Sequence, residues 1–141
     1  MNHMLHLLGI ARKAGKVEVG EAPVGAAVQS RKAKLIGLAA DASDNSVRRA
    51  GHFAQIGGCP LAVLPFDKAQ TGRAVGCQLC AMLAVTDAGL AAAIARSLAQ
   101  SDPEQYGPMA ETLDQAAARA QRRQKKARNR AGPGARRYEK T

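Results

Sequence analysis

Leu35-Ile36-Gly37-Leu38-Ala39-Ala40 runs without a charged residue and is followed at once by Asp41-Ala42-Ser43-Asp44. A short unbroken apolar run is the pattern of a strand covered on both faces, whereas a strand with one wet face alternates. The residues after it carry side-chain oxygens that satisfy the orphan N–H groups of a helix start. A strand buried on both sides and delivered into a helix implies a layered α/β domain.

The same grammar repeats on either side. Upstream, Met4, Leu5, Leu8 and Ala11 recur at helical spacing after Asn2, and Gly15 stops that helix behind Arg12 and Lys13. A short strand follows over Val17 to Val19. Gly20-Glu21-Ala22-Pro23 then opens a second helix, with Pro23 suited to its first turn, Val24, Ala27 and Val28 inward and Ser30-Arg31-Lys32 at its close. Downstream of Asp44 a third helix is expected to turn Val47, Ala50 and Ala54 inward until Gly57-Gly58. Leu61 to Leu64 reads as another buried strand ended by Pro65, Asp67 as the cap of a short fourth helix reaching Val75-Gly76, and Ala81 to Val85 as the last strand. Thr86-Asp87 caps a fifth helix with Leu90, Ala91, Ile94 and Leu98 on one stripe. Five helices alternating with four short strands predict an α/β sandwich, since strands joined by helical crossovers need cover on both faces.

The domain is expected over residues 1–99. Ser101-Asp102-Pro103-Glu104 and Gly107-Pro108 read as linker, so residues 100–141 form a linker and a basic C-terminal tail, helical or disordered. Glu111 to Arg130 holds good helix formers but only Leu113 and alanines to bury, which predicts a helix that is marginal alone, with Gly132-Pro133-Gly134 breaking it.

Charge is unevenly distributed. The net charge is +10, and from Arg119 onward ten basic residues, among them Arg122, Arg123, Lys125 and Lys126, face one acid, Glu139. A near-neutral domain carrying a dense cationic arm implies a polyanionic partner, because each cation laid on a phosphate releases a condensed counterion. Six to ten such contacts would lower affinity by roughly 10³- to 10⁵-fold between about 50 and 200 mM salt. The alternative is a solubilising tail without a dedicated target. No segment approaches the ~20 apolar residues of a membrane span, and Gly9 and Arg12 interrupt a secretory core, so a cytoplasmic protein without a membrane partner is expected. With 46% apolar content but two Phe, two Tyr and no Trp, aliphatic side chains must fill the core.

Catalysis has no visible carrier. Cys77-Gln78-Leu79-Cys80 has the spacing of a redox pair or half a zinc site, for which His52 and Cys59 are the nearest further ligands. The pair lies between a helix and a following strand, the reverse of a thioredoxin-type motif, and small inert cysteines are the competing interpretation. His3, His6 and His52 form no metal or triad spacing, and Asp41, Asp44 and Asp87 sit at strand-to-helix junctions where capping is expected. No phosphate loop or dinucleotide fingerprint occurs, so neither a cofactor, a metal nor a small-molecule substrate is expected. The Gly20 turn is more suggestive. Strand, glycine and helix start aim free N–H groups at solvent, with Lys16, Lys32 and Lys34 expected on the same flank.

Five segments taken in order carry a family resemblance: Leu7-Leu8-Gly9-Ile10-Ala11-Arg12-Lys13-Ala14-Gly15-Lys16, Val19-Gly20-Glu21, Lys32-Ala33-Lys34-Leu35-Ile36, Ala40-Asp41-Ala42-Ser43-Asp44-Asn45, and Ala84-Val85-Thr86-Asp87-Ala88-Gly89-Leu90-Ala91. The chain resembles the bacterial YlxQ-type branch of the ribosomal protein L-seven-Ae / L-thirty-e superfamily over residues 4 to 98. The resemblance implies a three-layer α/β/α sandwich with a mixed four-stranded sheet. It also implies a non-enzymatic, ribosome-associated RNA-binding protein whose partner is structured RNA, ribosomal RNA foremost, recognised at kink-turns. The contact regions it implies are Gly20 to Ala26 and the loop of about Gly76 to Ala81. Archaeal kink-turn binders carry Asn and Glu two and three residues after the glycine and Lys three further on; here those positions are Ala22, Pro23 and Ala26. At roughly 1–3 kcal/mol per good base contact, their loss weakens specific readout tenfold or more.

The expected RNA contacts are therefore Gly20, Glu21, Gln78 and Leu79 for docking, Arg12, Lys13, Lys16, Arg31, Lys32 and Lys34 for phosphates, and Arg122, Arg123, Lys125 and Lys126 for non-selective attraction. The competing hypotheses are a ribosome- or protein-docking module that has lost RNA readout, and a thiol or zinc protein.

Overall fold

In the computed structural model, which describes the backbone of residues 2–140 and the side chains of residues 3–129, two helical layers enclose one sheet. The elements run α1 (Asn2–Lys13), β1 (Val17–Val19), α2 (Glu21–Gln29), β2 (Leu35–Leu38), α3 (Asp44–Gly57), β3 (Leu61–Val63), α4 (Lys68–Val75), β4 (Met82–Val85), α5 (Ala88–Ser101) and α6 (Pro103–Lys140).

The strand order is β1-β4-β2-β3. β2 and β3 are parallel across the α3 crossover, and β4 is antiparallel to both β1 and β2. The fold is thus a three-layer α/β/α sandwich on a mixed sheet. β2 and β4, buried at every position, take the centre; β1 and β3, with partly exposed residues, take the edges. Burial on both faces requires neighbours on both sides, which is why the two continuous apolar runs lie side by side.

Successive residues of the central strands feed opposite layers. Leu35, Leu83 and Val85 pack with Leu8, Leu64, Phe66, Ile94 and Leu98 under α1, α4 and α5, while Ile36, Leu38, Met82 and Ala84 meet Val24, Val28, Ala50 and Phe53 of α2 and α3. The caps fall where oxygen-bearing side chains stand. Ser43 accepts from the Ser46 N–H, Asp67 forms a reciprocal capping box with Gln70, and Asp87 accepts from the Leu90 N–H. Asp41 does not cap the helix after it. Its carboxylate accepts the Lys68 N–H at 2.8 Å and so ties the end of β2 to the start of α4.

Two further expectations are corrected. Val47 is 45% exposed, and Phe53 occupies the inner face of α3 in its place. The segment read as a linker is instead the start of α6. Asp102 accepts the Gln105 N–H, and Pro103 takes the first helical position, where its missing N–H removes nothing. Tyr106, Ala110 and Leu113 join the core beside α5, the Tyr106 hydroxyl donates to the Val63 carbonyl on edge strand β3, and Arg96 pairs with Asp114. A proline that begins a helix and one that ends a chain excursion look alike in sequence; the apolar groove of α5 distinguishes them. The core therefore continues past Ala99 as far as Leu113. Gly132-Pro133-Gly134 fall within the bounds of α6, and the side chains from residue 130 onward lie outside the described set.

Candidate nucleic-acid interface

β4 gives the sheet two distinct ends, about 10 Å apart at ~3.3 Å per residue. At its first residue, the Met82 carbonyl accepts the Gly20 N–H at 3.0 Å, and the neighbouring Ala81 carbonyl accepts the Ala39 N–H at 2.9 Å. The glycine turn and the loop from Gly76 to Ala81 are thus adjacent. The two contact regions that the family resemblance implied meet at one end of the sandwich.

Gly20 has φ 100 and ψ 162, a backbone state that L side chains rarely adopt, and no side chain caps the helix it opens. Glu21 and Ala22 are exposed and their first-turn N–H groups have no intrahelical acceptor, but Pro23 contributes none, so this helix start offers fewer donors than an ordinary one. Glu21 is not free: its carboxylate pairs with Arg49 at 3.3 Å, and the Arg49 guanidinium lies 5.0 Å over the Phe53 ring. A half-exposed pair of this kind contributes no more than about 1 kcal/mol, so its effect is to fix the orientation of both side chains. Arg49 was missed in sequence because nothing local marks a cation that reaches from α3 to the start of α2.

In the loop before β4, Gln78 is exposed and Leu79 is 63% exposed, the most open large apolar side chain described. The loop is held by close packing against α4. A Cβ on Gly72 would stand 2.8 Å from the Gln78 carbonyl oxygen and 2.9 Å from that of Cys77. Gly72 is therefore a positioning residue of this loop, and its only sequence signal was a glycine inside a helix.

Arg12, Lys13, Lys16, Arg31, Lys32 and Lys34 do not share that end, and for Lys16, Lys32 and Lys34 this is contrary to the expected common flank. The Lys16 carbonyl accepts from the Thr86 N–H and the Lys34 N–H donates to the Val85 carbonyl, which places both at the far end of β4. Turn order fixes this: a three-residue β1 separates Lys16 from Gly20, and α2 carries the chain back before Arg31. Arg12 donates to the Val17 carbonyl at 3.0 Å and so braces the entry to β1 as well as presenting charge. The glycine-turn end instead collects Glu21, Asp41, Asp44 and Asp67 beside Arg48, Arg49 and Lys68. Cations dominate the opposite end alone. Arg122, Arg123, Lys125 and Lys126 are all exposed on α6, beyond the part that packs on α5.

Cys80 is buried, and burial foremost, with Cys77 nearby, pushes its thiol up to about 11. That opposes the thiolate needed for redox or metal chemistry near neutral pH. Because the folded value lies above the ordinary 9.0, the stability due to a neutral Cys80 is complete below about pH 9 and is lost as pH rises through about 11. Thermal melts are expected to show a loss of the order of 2 kcal/mol across that window, less steep in Cys80→Ala. Burial shifts Cys59 and Tyr106 in the same direction. A flat profile from pH 9 to 11 would contradict this. Among the described residues, no three His, Cys, Asp or Glu side chains gather as a metal site, and no helix is long and apolar enough to cross a membrane.

No protein-family model matches the chain. Among solved structures it is similar to a protein with unknown function from Bacillus halodurans C, with a TM-score of 0.62 and 29% identity, covering 66% of this chain and 93% of that one. Among curated proteins it is 34% identical over 89 residues to RNA-binding protein YlxQ of Bacillus subtilis (strain 168), covering 60% of this chain and 84% of that protein. A third of positions identical over most of that relative's length makes this chain a member of the YlxQ family.

Proposed function

We propose that this protein is a non-enzymatic, cytoplasmic RNA-binding protein that docks on a bent, structured RNA of the kink-turn kind, ribosomal RNA foremost, through the glycine-turn end of its sandwich. The observation that carries this reading is the Gly20–Met82 hydrogen bond, which joins a capless helix start to a loop bearing the exposed Leu79. First-turn N–H groups suit a phosphate, and an exposed aliphatic side chain suits the face of an unstacked base, so together they fit a folded RNA surface. RNA binding in the curated relative supports the partner class. With Ala22, Pro23 and Ala26 in place of base-reading side chains, shape outweighs sequence in the recognition.

The test is a titration of the full chain against a hairpin containing a sharply bent internal loop and against a straight duplex of equal length, at ~0.15 M salt. Preference for the bent hairpin, reduced by Leu79→Asp, is expected. Equal affinity for both would leave only charge-driven binding.

A further inference from the structure

Beside the cationic end of the sheet, the C-terminal turns of α2 and α3, the turns leading into β2 and β3 and one face of α6 border a groove of about 700 Å³. Ile56, Pro60 and Ala116 supply the accessible apolar walls over the buried Val28 and Leu113, and Arg31, Lys34 and Arg119 stand around them. None of its lining residues is acidic. Ile56 is 58% exposed, an uncovered apolar side chain within a ring of cations.

Arg31 adopts φ 61, the left-handed state in which glycine ends helices without strain. Its side chain is thus presented at a backbone cost that glycine would avoid. The groove does not stop at Arg119. Arg123 and Lys126, four and seven residues further along α6, continue the same helical face, extending a cationic track by ~10 Å at 1.5 Å per residue. An apolar recess ringed and continued by cations matches what an unpaired nucleotide offers, a flat base face on an anionic backbone. An acidic amphipathic peptide would fill the recess but would not need the track beyond it.

We propose that this groove takes an unpaired stretch of the same RNA whose folded part docks at the glycine-turn end, with a base against Ile56, Pro60 and Ala116 and its phosphates on Arg31, Lys34 and Arg119. The inference rests on the RNA reading above. It makes the interface bipartite: one end of the sandwich receives shape, the other receives a single strand jointly with α6.

Two half-buried thiols report on the two ends separately, Cys77 in the loop before β4 and Cys59 in the groove. The experiment uses the full chain and two RNAs, a blunt bent hairpin and the same hairpin with a single-stranded extension of ~8 nucleotides. The extended RNA is expected to bind roughly tenfold tighter than the blunt one. In the double variant Arg31→Gly/Lys34→Ala that ratio should fall to near one. Arg31→Gly alone is expected to raise the melting temperature by roughly 2–4 °C, so weaker binding would not trace to misfolding. Alkylation read by mass spectrometry should slow several-fold at Cys59 with the extended RNA only, and at Cys77 with both. The groove assignment is overturned if the two RNAs bind the wild-type chain equally, if the ratio survives in the double variant, or if an acidic peptide protects Cys59 and the extended RNA does not. Failure of the wild-type chain to bind either RNA would sink the RNA reading and the groove with it.

Discussion

Replacing Arg119, Arg122, Arg123, Lys125 and Lys126 with glutamine is expected to lower RNA affinity by about 10²-fold at low salt and to flatten its salt dependence. Each phosphate contact on a single strand contributes ~0.7 to the slope of log affinity against log salt, so five contacts account for a slope of ~3.5. All five side chains are exposed and lie beyond the Tyr106, Ala110 and Leu113 that anchor α6 in the core, so the fold itself should tolerate the change. Filter binding from about 50 to 200 mM salt measures it. An unchanged slope would remove α6 from the interface, and the tail would be a solubilising extension. Had the linker reading been right, these cations would roam on a tether. The packing of Tyr106, Ala110 and Leu113 instead aims the first of them, Arg119, beside Arg31 and Lys34.

Gly72→Ala is expected to weaken binding to a bent hairpin tenfold or more while leaving the α6 salt slope intact. The added methyl would sit under 3 Å from two backbone carbonyl oxygens of the Cys77–Gln78 segment, and backbone cannot rotate out of the way as a side chain can. Either the loop moves off α4 or α4 shifts, at a cost of roughly 1–3 kcal/mol in stability. Loop displacement carries Leu79 away from Gly20, so affinity falls together with melting temperature. Unchanged affinity in a destabilised Gly72→Ala protein would show that the loop before β4 takes no part in docking.

The strand and helix boundaries were largely legible because each is marked by short-range chemistry. Asp67, Asp87 and Ser43 cap the helices they precede, Gly15 and Gly58 take left-handed states at helix ends, and the unbroken Leu35 and Ala81 runs became the two central strands. The mixed pairing of the sheet came from the family resemblance and not from these signals. An apolar run specifies burial but not the direction of its neighbour. The α6 error has the same origin, since Pro103 and Gly107 weaken a helix in isolation, and the apolar face of α5 that stabilises this one lies outside any local window.

What the linear order of residues fixed is the set of elements, the placing of a cationic arm at the C-terminus and the glycine that must open α2, because periodicity, capping and φ preference act within a few residues. What required the folded chain is which of these end up together. Gly20 joins the loop before β4, Lys16 and Lys34 go to the far end, Arg49 reaches Glu21, and α6 closes a groove with Arg31. Those partners are separated by tens of residues in most cases, and their pairing is set by sheet register and helix packing, which no short stretch encodes.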